Sequence, residues 1–225
     1  MTRLVFWLDV DNTLLQNDDV KADLDVHLQA EVGTDLTRLF WAIYEQVRKE
    51  KDYVDIPLSL SRFREQTPLS AMDEQTYQHV HSIFDNYPFY KALYPHVLET
   101  LQHLRTLGLT VIVSDGDLSF QATKIVNSYL AEAVEGRVLI YTHKQQHLVE
   151  IMRTYPGDHY VMIDDKPQIL AETKASLGDS LTTVFVQQGK YAESQLPANF
   201  TPDITVPHIG DLRNYNAEQF LHPAN

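Results

Sequence analysis

The chain has 225 residues, 44% of them hydrophobic, which is enough to bury the core of one large domain or of a core with an insertion. Its 31 acidic and 18 basic side chains give a formal net charge of −13, which disfavours nucleic acid and anionic membranes as partners. It has no cysteine and no apolar stretch of membrane-spanning length. The first apolar run begins at Leu4, which leaves no room for a signal peptide, so we expect a cytoplasmic protein.

Short apolar runs rich in Val and Ile predict β-strands at residues 4–8, 110–113, 138–141, 160–163, 183–186 and 204–206. Several of these runs are apolar on both faces, as in a parallel sheet that is covered on both sides. Amphipathic helical patterns alternate with the later runs, at residues 95–107, 118–133, 145–155 and 167–177. This alternation predicts an α/β fold with a doubly wound parallel sheet of the Rossmann-like type.

The interval between the first two predicted strands breaks this alternation. Its patterns at residues 20–32, 35–51 and 70–86 are those of amphipathic helices, and it contains no convincing strand. We therefore predict a helical cap of residues 16–93 inserted after the first strand, and a core domain of residues 1–15 and 94–225. Ligands of open α/β sheets bind beyond the carboxyl ends of the strands. The insertion leaves the sheet at that edge, so we expect it to cover the site as a lid.

Polar residues stand where the predicted strands end. Asp9 and Asp11 follow the first strand and are two residues apart, so their side chains project to the same side. Such a pair is suited to hold a hard cation and to attack an electrophile. The later candidates are Ser114, Lys144 and the adjacent Asp164 and Asp165.

These four motifs, in this order, resemble those of the haloacid dehalogenase superfamily, and of its phosphatase-type members in particular. Asp9, Asp11 and Thr13 match the family's Asp-x-Asp-x-Thr motif. The resemblance implies a Mg²⁺-dependent phosphomonoester hydrolase in which Asp9 is the nucleophile and forms an aspartyl-phosphate. Asp11 is then the general acid and base, a group that the family's dehalogenases lack at this position. The opening Asp-x-Asp-Asn-Thr-Leu is also similar to that of nucleotidase-like members.

The resemblance also implies which residues bind phosphate and metal. The phosphate-binding set is Thr13, Ser114, Asp115, Gly116 and Lys144, with the amides of Asp115 and Gly116 as donors. The metal-binding set is Asp9, Asp11 through its backbone carbonyl, Asp164 and Asp165. We expect Asp165 to be the direct ligand, while Asp164 binds through water or holds Lys144. For the lysine we favour Lys144 over Lys124 and Lys166, because it follows a strand end closely.

Several of these residues also have a purely structural interpretation. Ser114 suits a turn or a helix cap, and a lysine is usually solvated. His143 and His147 lack an evident third zinc ligand. Asp115 and Gln145 depart from the family pattern, which more often has Asn and Pro at these two positions. We expect the aromatic residues between 84 and 94 to pack at the hinge between insertion and core rather than to line a substrate pocket.

The expected partner is a small phosphorylated metabolite, such as a nucleotide or a sugar phosphate. A phosphomutase or phosphotransferase would use the same residues and would differ only in the group that accepts the phosphoryl. A non-enzymatic binding protein that retains the fold is a third interpretation. The chain is expected to be a monomer or a homodimer.

Overall fold

The computed structural model describes residues 2–223, and a parallel sheet of six strands lies at its centre. The strands are β1 Leu4–Leu8, β2 Leu109–Asp115, β3 Val138–Tyr141, β4 His159–Asp164, β5 Leu181–Val186 and β6 Ile204–Val206. Their spatial order is β3-β2-β1-β4-β5-β6. The predicted α/β class with a Rossmann-like parallel sheet is therefore confirmed. Strands β1, β3 and β6 have the predicted bounds, while the other three extend one or two residues further.

The register of the three central strands aligns their carboxyl ends. Leu8, the last residue of β1, lies beside Ile112 of β2 and Ile163 of β4. The amide of Asp9 continues this pairing and donates to the Ile163 carbonyl at 3.0 Å. Residues that directly follow these positions consequently meet at one edge of the sheet, beside the point where the strand order reverses.

The helices are α1 Asn17–Lys51, α2 Ile56–Gln66, α3 Glu74–Asp85, α4 Val97–Leu107, α5 Leu118–Asn127, α6 Leu130–Ala133, α7 Leu148–Thr154, α8 Pro167–Leu177 and α9 Ala217–Leu221. Aspartates cap three of them, because the side chains of Asp55, Asp73 and Asp117 each accept from a backbone amide in the first turn. The predicted helix at residues 118–133 is instead two helices, because Tyr129 adopts a left-handed conformation with φ 63°.

Helices α1 to α3 form an insertion between β1 and β2, which we call the helical insertion (residues 17–85). Two predicted helices are joined in α1, which is interrupted at Gly33 by a non-helical φ of 77°. Helix α2 was not predicted. The helices pack on Phe40, whose ring centroid lies 5.6 Å from that of Phe63 and 5.1 Å from that of Phe84. None of the described helices is both long and apolar enough to cross a membrane.

The side chains of β1 alternate between two apolar clusters. Val5 and Trp7 enter a cluster on one face of the sheet, while Phe6 and Leu8 enter one that continues into the helical insertion. Where insertion and core meet, the Phe120 ring lies 5.9 Å from Phe89. The buried members of the aromatic group at residues 84–94 thus pack at this junction, and the shared cluster fixes the insertion over the carboxyl edge of the sheet.

Candidate active site

Lys144 lies at the centre of a buried charge cluster. Its ammonium contacts Asp9 Oδ1 and lies 2.7 Å from Asp164 Oδ2. The residue begins a short 3₁₀ turn after β3, and its backbone amide donates to Asp115 Oδ1 at 2.7 Å. Asp115 therefore fixes the turn that carries the lysine. Lys144, which the sequence favoured over Lys124 and Lys166, is the lysine that contacts Asp9.

Three carboxylates meet beside this lysine. Asp9, Asp164 and Asp165 each offer an oxygen, and these oxygens lie within 4.8 Å of one another. Both oxygens of Asp165 are buried without a hydrogen-bond partner among the described residues. Because an unpartnered buried carboxylate is strongly unfavourable, these oxygens fit a bound cation. A set made only of oxygen ligands suits Mg²⁺.

The pKa values of the cluster follow from burial and from the close charges. Burial raises the pKa of Asp165 to about 9, and the nearby Asp164 and Asp9 add to the rise. Burial and Asp9 also raise the pKa of Asp164 to about 6, although Lys144 opposes them. For Asp9, burial acts upward, but Lys144 and Lys166 outweigh it and lower the pKa. Asp9 is thus the cluster's most acidic carboxyl group, as a nucleophilic carboxylate requires.

The turn after β1 orients Asp9. The hydroxyl of Thr13 donates to Asp9 Oδ2 at 3.4 Å, and the amides of Leu14 and Leu15 donate to the Val10 carbonyl. Asn12 makes this turn possible with a left-handed φ of 61°. The hydroxyl of Thr13 thus supports the carboxylate of Asp9, and its role in phosphate binding stays a prediction.

The loop after β2 corrects one prediction and refines another. The amide of Gly116 donates to the Tyr141 carbonyl at 2.8 Å, so it extends the pairing of β2 with β3 and does not serve as a free phosphate donor. Ser114 is buried, and its Oγ accepts from Gln121 Nε2 at 2.8 Å. A hydroxyl that accepts one hydrogen bond can still donate its own proton.

Asp11 stands apart from the acid cluster. Its Oδ1 lies 2.6 Å from Lys124 Nζ, and the same ammonium lies 3.1 Å from Asn17 Oδ1. Its side chain is therefore not one of the grouped oxygens, and this arrangement leaves only its backbone carbonyl for the predicted metal role. The partnership with Lys124 was not predicted. Its signal in the sequence is that Gln121 and Lys124, two polar residues three positions apart, share the inner face of α5.

A cavity of about 280 Å³ separates the helical insertion from the carboxyl edge of the sheet. Asp11, Lys124 and Lys166 line its core side. Trp41 and Tyr44 line the side of the insertion, where their ring centroids also lie 5.3 Å apart. Burial raises the pKa of Tyr44 to about 12, so its hydroxyl stays protonated at neutral pH.

Comparison with solved structures places this fold and site in a family. A protein described as a haloacid dehalogenase-like hydrolase from Burkholderia xenovorans LB400 is 44% identical, with a TM-score of 0.87 over 97% of this chain and 98% of that one. The chain therefore belongs to the haloacid dehalogenase-like hydrolases, which confirms the resemblance found in its motifs. No family model and no curated protein matches the chain.

More distant structures share the fold alone. The L-2-haloacid dehalogenase from Xanthobacter autotrophicus with chloropropionic acid covalently bound is 14% identical, with a TM-score of 0.60 over 95% of this chain and 98% of that one. A HAD-hydrolase from Bacillus subtilis bound to magnesium is 12% identical, with a TM-score of 0.63 over 99% of this chain and all of that one (100%). These relatives include both dehalogenases and a magnesium-bound hydrolase, so the reaction must be argued from the residues of this chain.

Proposed function

We propose that this hydrolase is a Mg²⁺-dependent phosphomonoesterase that forms an aspartyl-phosphate on Asp9. The observation that carries the proposal is the buried cluster, in which Lys144 contacts Asp9 while the oxygens of Asp165 have no protein partner. A nucleophilic carboxylate that worked without a metal ion would need no other acidic side chains beside it. A phosphate substrate, in contrast, brings negative charge that a cation on Asp164 and Asp165 can balance.

In the first step, a carboxylate oxygen of Asp9 attacks phosphorus, and the bond from phosphorus to the ester oxygen breaks. Lys144 and Thr13 hold the two oxygens of Asp9 in place, so its orientation is fixed before the substrate arrives. Asp9, Asp164 and Asp165 would hold Mg²⁺, which neutralises phosphate charge when it is bound. The hydroxyl of Ser114 remains to donate to a phosphate oxygen.

Asp11 supports a phosphoester over a carbon–halogen bond as the bond that is cleaved. An alkoxide leaving group needs a proton, whereas a departing halide does not. Asp11 lines the cavity and can give that proton to the leaving oxygen, then take one from the water that attacks the phosphorylated Asp9. The carboxyl group thus acts as an acid in the first half-reaction and as a base in the second.

The helical insertion supports a small metabolite as substrate. Acting as the cap, it leaves about 280 Å³ for the leaving group, with aromatic side chains on its own side and charged side chains on the core side. This volume has no room for a folded protein substrate. A sugar hydroxyl admitted to the cavity would accept the phosphoryl group in place of water, which is the phosphomutase alternative.

The test uses purified protein with Mg²⁺, p-nitrophenyl phosphate and a panel of phosphorylated metabolites. We expect release of inorganic phosphate that EDTA abolishes and Mg²⁺ restores, and no turnover by Asp9→Asn. Turnover no higher than that of Asp9→Asn across the whole panel would overturn the proposal. Chloride release from 2-chloropropionate would indicate a dehalogenase, transfer without free phosphate would indicate a mutase, and tight binding without turnover would indicate a binding protein.

A further inference from the structure

The geometry points to Lys124 as a positioning residue that holds Asp11 where it can protonate the leaving oxygen. This inference rests on the proposed phosphomonoesterase function and adds a residue to it. Lys124 belongs to none of the motifs that define the family resemblance. It acts on the reaction only through Asp11, so it is not a catalytic residue in the strict sense.

The contacts of Lys124 are those of a fixed support. Its side chain is 5% exposed, and its ammonium lies 2.6 Å from Asp11 Oδ1 and 3.1 Å from Asn17 Oδ1. The Phe120 ring lies 5.6 Å from the same ammonium. Two oxygen acceptors and an aromatic ring thus restrict a side chain that is otherwise among the most flexible.

The position of Asp11 explains why a support is needed. Asp9 is held by Lys144 and Thr13, whereas the only charged partner of Asp11 among the described residues is Lys124. The side chain of Asp11 is 26% exposed and borders the cavity, so without this contact it could rotate toward solvent. Proton transfer requires a protonated carboxyl group within hydrogen-bond distance of the leaving oxygen. Because Lys124 occupies Oδ1, the proton to be transferred is carried by Oδ2, and a fixed rotamer places that oxygen before the substrate binds.

The contact with Asn17 adds a connection to the helical insertion. Asn17 is the first residue of α1, and Lys124 lies on α5 of the core, so one ammonium links the acid, the core and the start of the insertion. The position of Asp11 is consequently tied to the element that forms the opposite wall of the cavity.

A purely structural role and a positioning role predict different kinetics. A structural role predicts that loss of Lys124 lowers the turnover of every phosphoester alike. A positioning role predicts a loss of kcat/KM only where the leaving group needs a proton, because kcat/KM reports formation of the aspartyl-phosphate and not the later hydrolysis in which Asp11 acts as a base. An alkoxide is a strong base and needs one, whereas p-nitrophenolate is a weak base that leaves without protonation. The ratio of activities on these two kinds of ester therefore separates the two roles.

The experiment measures kcat/KM of Lys124→Met and Lys124→Gln with glycerol 2-phosphate and with p-nitrophenyl phosphate. Since general acid catalysis is worth roughly 10²–10⁴-fold, we expect a loss of about 10- to 100-fold on the alkyl ester and less than about threefold on the aryl ester. Combining Lys124→Met with Asp11→Asn should lower activity on the alkyl ester no further than Asp11→Asn alone, because the two residues act as a unit.

Lys174→Met is the matched control. Lys174 is a lysine of the core whose side chain is 28% exposed and whose ammonium lies 2.9 Å from Asp203 Oδ2. It also contacts the Leu181 carbonyl at the amino end of β5, on the edge of the sheet opposite the cavity. Its loss should lower stability without altering the ratio of the two activities.

Equal losses on both esters, or additive effects in the double variant, would overturn the inference. If the wild-type protein releases phosphate while the Lys124 variants lose activity uniformly, only the role of Lys124 fails. If the wild-type protein cleaves no phosphoester, the proposed function fails first. Lys124→Gln keeps a polar group of similar length, so it provides the comparison if Lys124→Met does not fold.

Discussion

The ammonium of Lys144 and a carboxylate oxygen of Asp164 lie 2.7 Å apart, with side chains that are 1% and 0% exposed. The same ammonium contacts Asp9, so one cation offsets two carboxylates in the interior. Asp165, the third member of the cluster, has no hydrogen-bond partner among the described residues. The contact between Lys144 and Asp164 matches one of the two roles expected for Asp164, which is to hold the lysine. Asp165 is then the carboxyl group that is left to bind a cation.

Replacing Lys144 by Met should destabilise the fold. The substitution leaves the buried carboxylates of Asp9 and Asp164 without their contacting cation and with only Lys166 nearby, which costs about 3–5 kcal/mol. We expect urea unfolding at pH 7 to show this loss, and the added change Asp164→Asn to recover part of it. Lys174→Met, at a more exposed ion pair, should cost about 1 kcal/mol. Equal stabilities of the two single variants would contradict the central role of Lys144.

Binding of Mg²⁺ should release a proton. Burial and then Asp164 and Asp9 raise the pKa of Asp165 to about 9, so the metal-free protein holds this proton at pH 7. A metal ligand must be deprotonated, and affinity should therefore rise as the pH increases toward 9. Calorimetric titrations in two buffers of different ionisation enthalpy should report release of about one proton per Mg²⁺. Asp165→Asn should remove the release, and a binding enthalpy independent of buffer would contradict the assignment.

Gly189→Ala should disturb the turn that orients Asp9. Gly189 has a φ of +60°, and a Cβ there would lie 2.5 Å from the side chain of Asn12. Gly178 is a matched control, with a φ of +54° and nothing within 4 Å of the added atom. Gly178→Ala should cost about 1–3 kcal/mol from the backbone alone, because a φ of 54° with a ψ of −129° is a conformation that L residues avoid. Gly189→Ala should show a larger fall in the thermal midpoint and a loss of activity, and equal midpoints would argue against the collision.

Asp203→Asn should change how stability depends on pH. Burial acts to raise the pKa of Asp203, but hydrogen bonds from Thr183 and from Lys174 outweigh it, so the folded-state pKa lies below the usual 3.8. A lowered pKa stabilises the fold above pH 3.8, and this stabilisation is lost as the pH falls through the folded-state value. Because the pair is partly exposed, we expect Asp203→Asn to cost about 1 kcal/mol at pH 7. The difference from wild type, followed by urea unfolding at several pH values, should vanish in acid; a constant difference would contradict the linkage.

The parallel sheet was predictable because its central strands are buried on both faces. The runs that became β1, β3 and β6 have their predicted bounds, since apolar residues stop where the strands stop. The acids and the lysine could be located for the same reason, because polar residues directly after such runs must lie at the carboxyl edge. Asp9, Lys144 and Asp164 are brought into contact accordingly.

Other features depend on tertiary packing that no local pattern specifies. Gly116 failed as a phosphate donor because β2 continues to Asp115, two residues beyond its apolar run, and the next amide pairs with β3. The partnership of Asp11 with Lys124 joins residues 113 positions apart and depends on the rotation of α5 against the turn after β1. Helix α2 was missed because its short sequence alternates polar and apolar residues around a proline, which masks a helical period.

Asp9 and Lys144 are separated by 135 positions along the chain, yet their side chains touch. The pair can form only once β1 has joined β2 and β2 has joined β3, so it depends on contacts between distant parts of the chain. Recovery of activity after dilution from denaturant would therefore report only molecules that have formed this pair. Circular dichroism would also detect helices that form early and locally.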